Sequence, residues 1–414
     1  MRITAISSNT FKANIIDAHV HRGSKGCLWN GIEFPTSTLD SFIKSPLSID
    51  INGNKQTDNV VKVLVSSIDG LALDDNQRKE LQEKGIQKHS LKPEEVIFAK
   101  NEIQANLEMI NQYKNDKFYA VMAVCQPSKT TGSADNIKQL IKEHPNTIFG
   151  LKFHPQDMLL NADSPLYDNY MKLADKEKLP CLFHSQVSID YNTNTFKTPL
   201  NWSDPELIYK LAKRHPKVPV VMGHMGAGNE LAHEKAIKIL EQAIKNKDAK
   251  LFVDISWVDF KNDLPAEHPK SIIKLIDKMK ELNALDRILF GTDAPLGCYG
   301  EPHKLEQTKL SPQESYELTI SRIKSAIKNK YGNEADSIIN KIFYENANEL
   351  FFEKKWAKTS SKPIKGAGLI ASSVLSLGAI AVIVQQLTKS KKSEKEFILQ
   401  VRPHHHTRVY SSPQ

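Results

Sequence analysis

Two histidines stand two residues apart in Asn14-Ile15-Ile16-Asp17-Ala18-His19-Val20-His21, at the end of a largely apolar run. If that run is a strand, side chains at i and i+2 share a face, and His19 and His21 project together from its C-terminal end. Two imidazoles fixed side by side on a rigid element supply half of a transition-metal site. A His-x-His pair is a weak signal alone, because most histidines pack or hydrogen-bond. Its weight comes from where the other polar residues fall. Further apolar runs end in Lys152-Phe153-His154, in His184, in His224, in Asp254 and in Asp293.

The elements that must position these residues follow from periodicity and stop signals. Apolar, β-branched runs predict strands over 14–21, 60–66, 118–124, 147–154, 179–184, 218–224, 250–255 and 287–293. Helical spacing lies between most of them, over 101–113, 134–142, 166–178, 204–214, 233–247, 271–282, 312–328 and 334–352. Asp204-Pro205 opens one helix as cap and first residue, and His144-Pro145 and His215-Pro216 close two others. The stretch 22–59 reads as a long polar loop. Eight strands of continuous apolar character separated by helices indicate a parallel sheet covered outside, and their number fits an α/β fold of (β/α)8 TIM barrel type. No glycine-rich dinucleotide or phosphate loop follows any strand.

Active sites of such barrels lie at the C-terminal strand ends, where five histidines (His19, His21, His154, His184, His224) and two aspartates (Asp254, Asp293) fall here. A polar group inside a barrel costs free energy unless it is bonded or binds a metal, so the pattern predicts a metal centre. Lys152 and His154 share a face by the i, i+2 rule. Arg22, directly after the histidine pair, fits either a clamp for a substrate carboxylate or a salt bridge. Asp254 fits either support for a histidine ligand or a cap, and Trp29 and Trp257 either pocket walls or core packing.

Ile16-Asp17-Ala18-His19-Val20-His21, Gly150-Leu151-Lys152-Phe153-His154-Pro155, Leu182-Phe183-His184-Ser185, Gly223-His224-Met225-Gly226 and Phe290-Gly291-Thr292-Asp293, in this order, resemble the amidohydrolase superfamily. The branch they resemble is that of the amidohydrolase-related proteins that include aminocarboxymuconate-semialdehyde decarboxylase. The likeness spans about residues 14–352. It implies that His19, His21, His184 and Asp293 hold one divalent metal, zinc in most relatives, with manganese, iron or cobalt compatible with the same donors. It also implies that His224 orients or deprotonates a metal-activated water, with Asp293 able to take a proton, and that Lys152, His154, Arg22 and Trp257 face the substrate. Asp254 would support a ligand from behind. Some relatives bridge two metals with a carboxylated strand-four lysine; the Gly-x-Lys-x-His-Pro context of Lys152 favours one metal and an ammonium that binds substrate oxygen.

The formal charge is +8 and the sequence pI about 9.0, but the basic residues are spread over helices or crowded into the C-terminal tail. No basic stripe interleaved with aromatics is present, which argues against nucleic-acid binding. Cys27, Cys125, Cys181 and Cys298 are widely separated, as suits a reducing compartment, and residues 1–12 lack the apolar core of a signal peptide. The chain therefore divides into an N-terminal extension (1–13), the barrel (14–353), a basic linker (354–365), a hydrophobic helix (366–387) and a basic polar tail (388–414). The run 366–384 is free of charge and just long enough to span a bilayer, and its Gly, Ala and Ser would permit self-association as a homo-oligomer. The expectation is a cytoplasmic catalytic domain, anchored to the membrane by that helix. Its activity would be that of a metal-dependent hydrolase acting on a small-molecule ester, lactone or amide. A carboxy-lyase using the same metal on an unsaturated or aromatic acid is the alternative, and a membrane-tethered binding barrel without turnover is the third reading.

Overall fold

The computed structural model describes residues 14–358, except 25–26, 30–31, 34–38, 130–131, 191, 198, 262–263 and 297–308. Eight parallel strands follow one another in chain order: β1 (Asn14–Arg22), β2 (Asn54–Ser67), β3 (Tyr119–Val124), β4 (Ile148–Phe153), β5 (Cys181–His184), β6 (Pro219–Gly223), β7 (Lys250–Asp254) and β8 (Ile288–Leu289). The sheet closes on itself, because Ala18 N–H donates to Phe290 O (3.0 Å), His21 N–H to Ala294 O (2.8 Å) and Asp293 N–H to His19 O (2.7 Å). The helices that cover it are α1 (Asp75–Glu83), α2 (Glu102–Tyr113), α3 (Ala134–Glu143), α4 (Asp168–Glu177), α5 (Pro205–Arg214), α6 (Glu230–Asn246), α7 (Lys270–Glu281) and α8 (Pro312–Tyr331). This is the expected α/β barrel.

Each barrel strand is buried on both faces, which is why its sequence is continuously apolar rather than alternating. In β3, Ala120 and Met122 join an inner cluster with Ile16, Ala18, Leu64, Leu182, Val221, Phe252 and Leu289, while Tyr119, Val121 and Ala123 join the layer beneath the helices. Ala347, Leu350 and Phe351 belong to the same inner cluster. They come from the helical segment that follows α8, wound partly as π-helix over Lys341–Glu345 and Asn348–Phe352, and they seal the end of the barrel away from the polar strand ends. Side chains cap the helix starts, at Asp204 as the sequence predicts. Asp204 accepts from Glu206 N–H ahead of Pro205, and Asn101 and Gln104 form a reciprocal capping box on α2.

The stretch 22–59 is not all loop. Leu47–Ile51 is a strand, antiparallel to the start of β2. The two are joined by Asn52-Gly53, both left-handed (φ 53° and 82°), the Asn-Gly signal of a two-residue hairpin turn. Leu47, Ile49 and Ile51 face the core, and the edge is tied to α8 by Ser48 N–H to Glu317 Oε1 (2.9 Å) and Asp50 N–H to Ser321 Oγ (3.0 Å). No described helix is long and apolar enough to cross a membrane. The extension 1–13, the helix 366–387, the tail 388–414, all but the first residues of the linker 354–365, and the side chain of Trp29 lie outside the described residues.

Candidate metal centre

His19 and His21 project into the barrel from β1, Lys152 and His154 from the end of β4, His184 from β5, His224 from just beyond β6, Asp254 from β7 and Asp293 from the segment after β8. All are buried except His184, which is partly exposed. Close approach of strands at this point requires glycine: a Cβ on Gly291 would lie 2.8 Å from His19 Cβ. The backbone is also strained here. His224 (φ 61°), Trp257 (φ 57°) and Asp293 (φ 58°) are left-handed non-glycine residues, each costing on the order of 1–3 kcal/mol that the surrounding packing must offset.

Hydrogen bonding decides which ring nitrogens carry protons. Asp254 Oδ2 lies 2.9 Å from His19 Nδ1. A carboxylate only accepts, so Nδ1 is the protonated nitrogen and Nε2 carries the lone pair. Asp254 Oδ1 accepts from the backbone N–H groups of His224 (2.9 Å) and Ser256 (3.1 Å) and from the Ser256 hydroxyl. With its proton spent on Asp254, Ser256 Oγ accepts from His224 Nδ1 (2.9 Å), which leaves the His224 Nε2 lone pair for the cavity. His21 Nδ1 is 3.0 Å from Ser66 Oγ. Burial lowers the affinity of all four imidazoles for a proton, to a pKa of about 4 for His21 and for His224, with His19 and His184 also lowered. At neutral pH they are uncharged and able to donate lone pairs. Burial alone would raise the carboxyls of Asp254 and Asp293, but attraction to the neighbouring imidazoles in their protonated form, with the hydrogen bonds donated to the carboxylates, holds both well below the usual carboxylate range.

The donors fit a divalent cation. His19 Nε2 and His21 Nε2 lie 3.3 Å and 3.1 Å from the same oxygen, Asp293 Oδ1. The His19 Nε2 lone pair, left by the Nδ1 proton held on Asp254, repels that oxygen unless positive charge lies between them. His19, His224 and Asp293 each place a ligand atom within 4.8 Å of the others, and His184 Nε2 is buried with no hydrogen-bond partner. The one cation reaching this set among the described side chains is the Lys152 ammonium, whose Nζ is 2.7 Å from His19 Nε2. Desolvation lowers its pKa to about 8.

The remaining expected contacts divide. His154 stacks on His184 with ring centroids 3.9 Å apart and sets Nδ1 2.9 Å from Asp157 Oδ2. Asp157 is held in turn by Lys88 Nζ at 2.7 Å. The edge of Trp257 approaches His224 at 6.5 Å between ring centroids, and its side chain is 39% exposed, which suits a wall at the mouth. Asp254 sits behind His19 and His224, as support rather than as a cap alone. Arg22 does not reach the site. One residue past His21, it takes the opposite face of β1, as adjacent residues of a strand do, and there it pairs with Asp40 and donates to Tyr119 Oη (3.3 Å). Ser256, Ser66 and Asp157 escape sequence reasoning. Ser256 was within reach, since it stands two residues after Asp254 and shares its face.

A family model described as amidohydrolase matches residues 91–352; the strand that carries His19 and His21 precedes the matched region. Similar solved structures include a protein of Acinetobacter baumannii described as a probable 2-pyrone-4,6-dicarboxylic acid hydrolase, with citric acid bound (16% identity, 82% of this chain and 99% of that chain, TM-score 0.42). Another is 5-carboxyvanillate decarboxylase of Novosphingobium aromaticivorans, complexed with manganese and 4-hydroxy-3-methoxy-5-nitrobenzoic acid (11% identity, 82% and 96%, TM-score 0.44). A third is 2,6-dihydroxybenzoate decarboxylase of Rhizobium (12% identity, 82% and 98%, TM-score 0.43). No curated protein matches the chain.

Proposed function

The chain belongs to the amidohydrolase family, and from that premise we propose that it is a metal-dependent hydrolase that cleaves an ester, lactone or amide bond of a small molecule with water. The observation that carries this reading is the approach of His19 Nε2 and His21 Nε2 to Asp293 Oδ1, at 3.3 Å and 3.1 Å, while the His19 Nδ1 proton is turned away to Asp254. His19, His21, His184 and Asp293 would hold the ion. Zinc suits three imidazoles and a carboxylate, and manganese, iron and cobalt are compatible with them. Bound there, the ion would polarise a substrate oxygen and bring the pKa of water towards neutrality.

The chain's own residues do the rest. His224, uncharged and with Nδ1 anchored on Ser256, presents Nε2 as the base that takes a proton from water and returns it to the leaving group. Asp254, fixed by three donors and by His19, keeps both rings in these tautomers. When His19 Nε2 is committed to an ion, the Lys152 ammonium needs another acceptor, and a substrate carbonyl or carboxylate oxygen provides one. That role leaves Lys152 a cation rather than a carboxylated bridge to a second metal. Trp257 and His154 would flank the substrate.

A carboxy-lyase is the second reading, favoured by one feature. Arg78 and Lys88 line a cavity of about 490 Å³ that shares Asp157 with the His154 side of the site, a setting for a carboxylate-bearing substrate. Turnover in ¹⁸O-water decides between the two. Zinc- or manganese-loaded protein offered esters, lactones, amides and unsaturated acids is expected to place label in an acid product. Release of carbon dioxide with no label in the organic product would instead establish the lyase, and metal-loaded protein that turns over none of them would leave a binding barrel.

We further propose that the uncharged run 366–384 anchors the enzyme to a membrane. The full chain is expected to sediment with membranes and to need detergent for release, whereas a chain ended at Ser361 stays in the supernatant. Equal partition of the two would exclude the anchor.

A further inference from the structure

β1 does not alternate regularly. Ile15 and Val20, five residues apart, both pack in the outer layer, while Ile16 and Ala18 face the barrel interior. Regular alternation would send His19 outwards with Ile15 and Asp17. The register shows why it faces inwards instead. Asp17 lies opposite Val63 and Val20 opposite Val65, so three steps along β1 match two along β2. One extra residue is accommodated as a bulge, which reverses the facing of everything after it.

One side chain closes around this irregularity. The Asp17 carboxylate is fully buried. Its Oδ1 accepts from His19 N–H (3.2 Å), the amide inside the bulge, and from Thr292 N–H (3.0 Å). Its Oδ2 accepts from Thr292 Oγ1 (2.6 Å) and Tyr316 Oη (2.9 Å). Thr292 immediately precedes Asp293, whose own N–H donates to His19 O (2.7 Å). A single carboxylate therefore ties the bulged strand, the residue beside Asp293 and the first turns of α8 together. Two oxygens offering about four acceptor sites match four donors, which an amide in the same place could not do.

We infer that Asp17 is a positioning residue for the metal centre: by holding the bulge in β1 against Thr292, it turns His19 and His21 into the barrel and sets their distance from Asp293. This rests on the metal-site reading given above. Residues behind metal ligands typically alter affinity by about 10–100-fold when changed, and here the effect acts on three donor residues at once.

The test compares wild type, Asp17→Asn and Tyr316→Phe in the full chain, with two readouts. Zinc affinity by competition with a chromophoric chelator is expected to fall about 10–100-fold in Asp17→Asn and by a smaller factor in Tyr316→Phe, which removes one of the four donors and leaves the carboxylate in place. Independently of any metal, NMR of the zinc-free proteins is expected to show the hydrogen-bonded His19 Nδ1 proton, shared with Asp254, in wild type and to lose it in Asp17→Asn. Folded variants with wild-type zinc affinity and an unchanged His19 signal would overturn the inference. If Asp17→Asn does not fold, Tyr316→Phe decides: a retained His19 signal with unchanged zinc affinity overturns the inference, and a weakened signal supports it. A wild type that binds none of zinc, manganese, iron(II) or cobalt would end the metal reading, while the His19 signal still decides whether Asp17 sets the bulge.

Discussion

Asp293→Asn is expected to lower kcat/KM by about 10³-fold, within the range for loss of a group that handles charge or protons at the reacting centre. Asparagine is the informative replacement because Asp293 is left-handed, with φ 58°. Asparagine tolerates that conformation better than other non-glycine residues, so the backbone strain that alanine would add is largely avoided. What is lost is the charge beside His19 Nε2 and His21 Nε2. Metal content should fall together with turnover, because an amide oxygen is a weaker donor than a carboxylate. Metal per chain and the rate with whichever substrate the ¹⁸O experiment identifies are the two measurements. A variant within tenfold of wild-type rate and carrying full metal would remove Asp293 from the mechanism.

Lys324→Ala is expected to destabilise the fold by about 3–5 kcal/mol. Lys324 on α8 and Asp58 on β2 are fully buried and paired, with Nζ 2.5 Å from Asp58 Oδ2. Lys324 Nζ also lies 4.8 Å from the centre of the Phe343 ring, and Gln56 Nε2 donates to Asp58 Oδ1 at 2.9 Å. Removing the lysine leaves a desolvated carboxylate without its counter-charge. The cost lies in that orphaned charge more than in the pair itself, so replacing both partners should recover most of the loss. The double variant Lys324→Met with Asp58→Leu is expected within about 1 kcal/mol of wild type, because apolar side chains of similar volume often replace a buried ion pair without penalty. Denaturant midpoints at unchanged slope measure both. A single variant that costs under about 1 kcal/mol would show that water or a rearranged side chain reaches Asp58. The same helix carries Tyr316, so a loosened α8 should also weaken the hydrogen bond at Asp17.

The sequence by itself determined the barrel and the residues that meet at its mouth. Continuous apolar strands, helices between them, and stop signals such as His215-Pro216 are written within a few residues of one another, and the C-terminal end of a strand is a local property of the chain. That was enough to bring His19, His21, Lys152, His154, His184, His224, Asp254 and Asp293 to one place. The Asn52-Gly53 turn was equally local, but the polar residues around it masked a hairpin whose apolar face is completed by α8.

Tertiary structure decided what depends on distant partners. Periodicity assigns a face only while alternation is regular, and the bulge after Asp17 breaks it through donors 275 and 299 residues further along, on Thr292 and Tyr316. The proton on His19 Nδ1 is fixed by Asp254, 235 residues away, and the ammonium that meets its other nitrogen comes from Lys152, 133 residues away. Such choices lie in the closure of the barrel, where β8 returns to β1, because only there do these groups leave water together and have to satisfy one another.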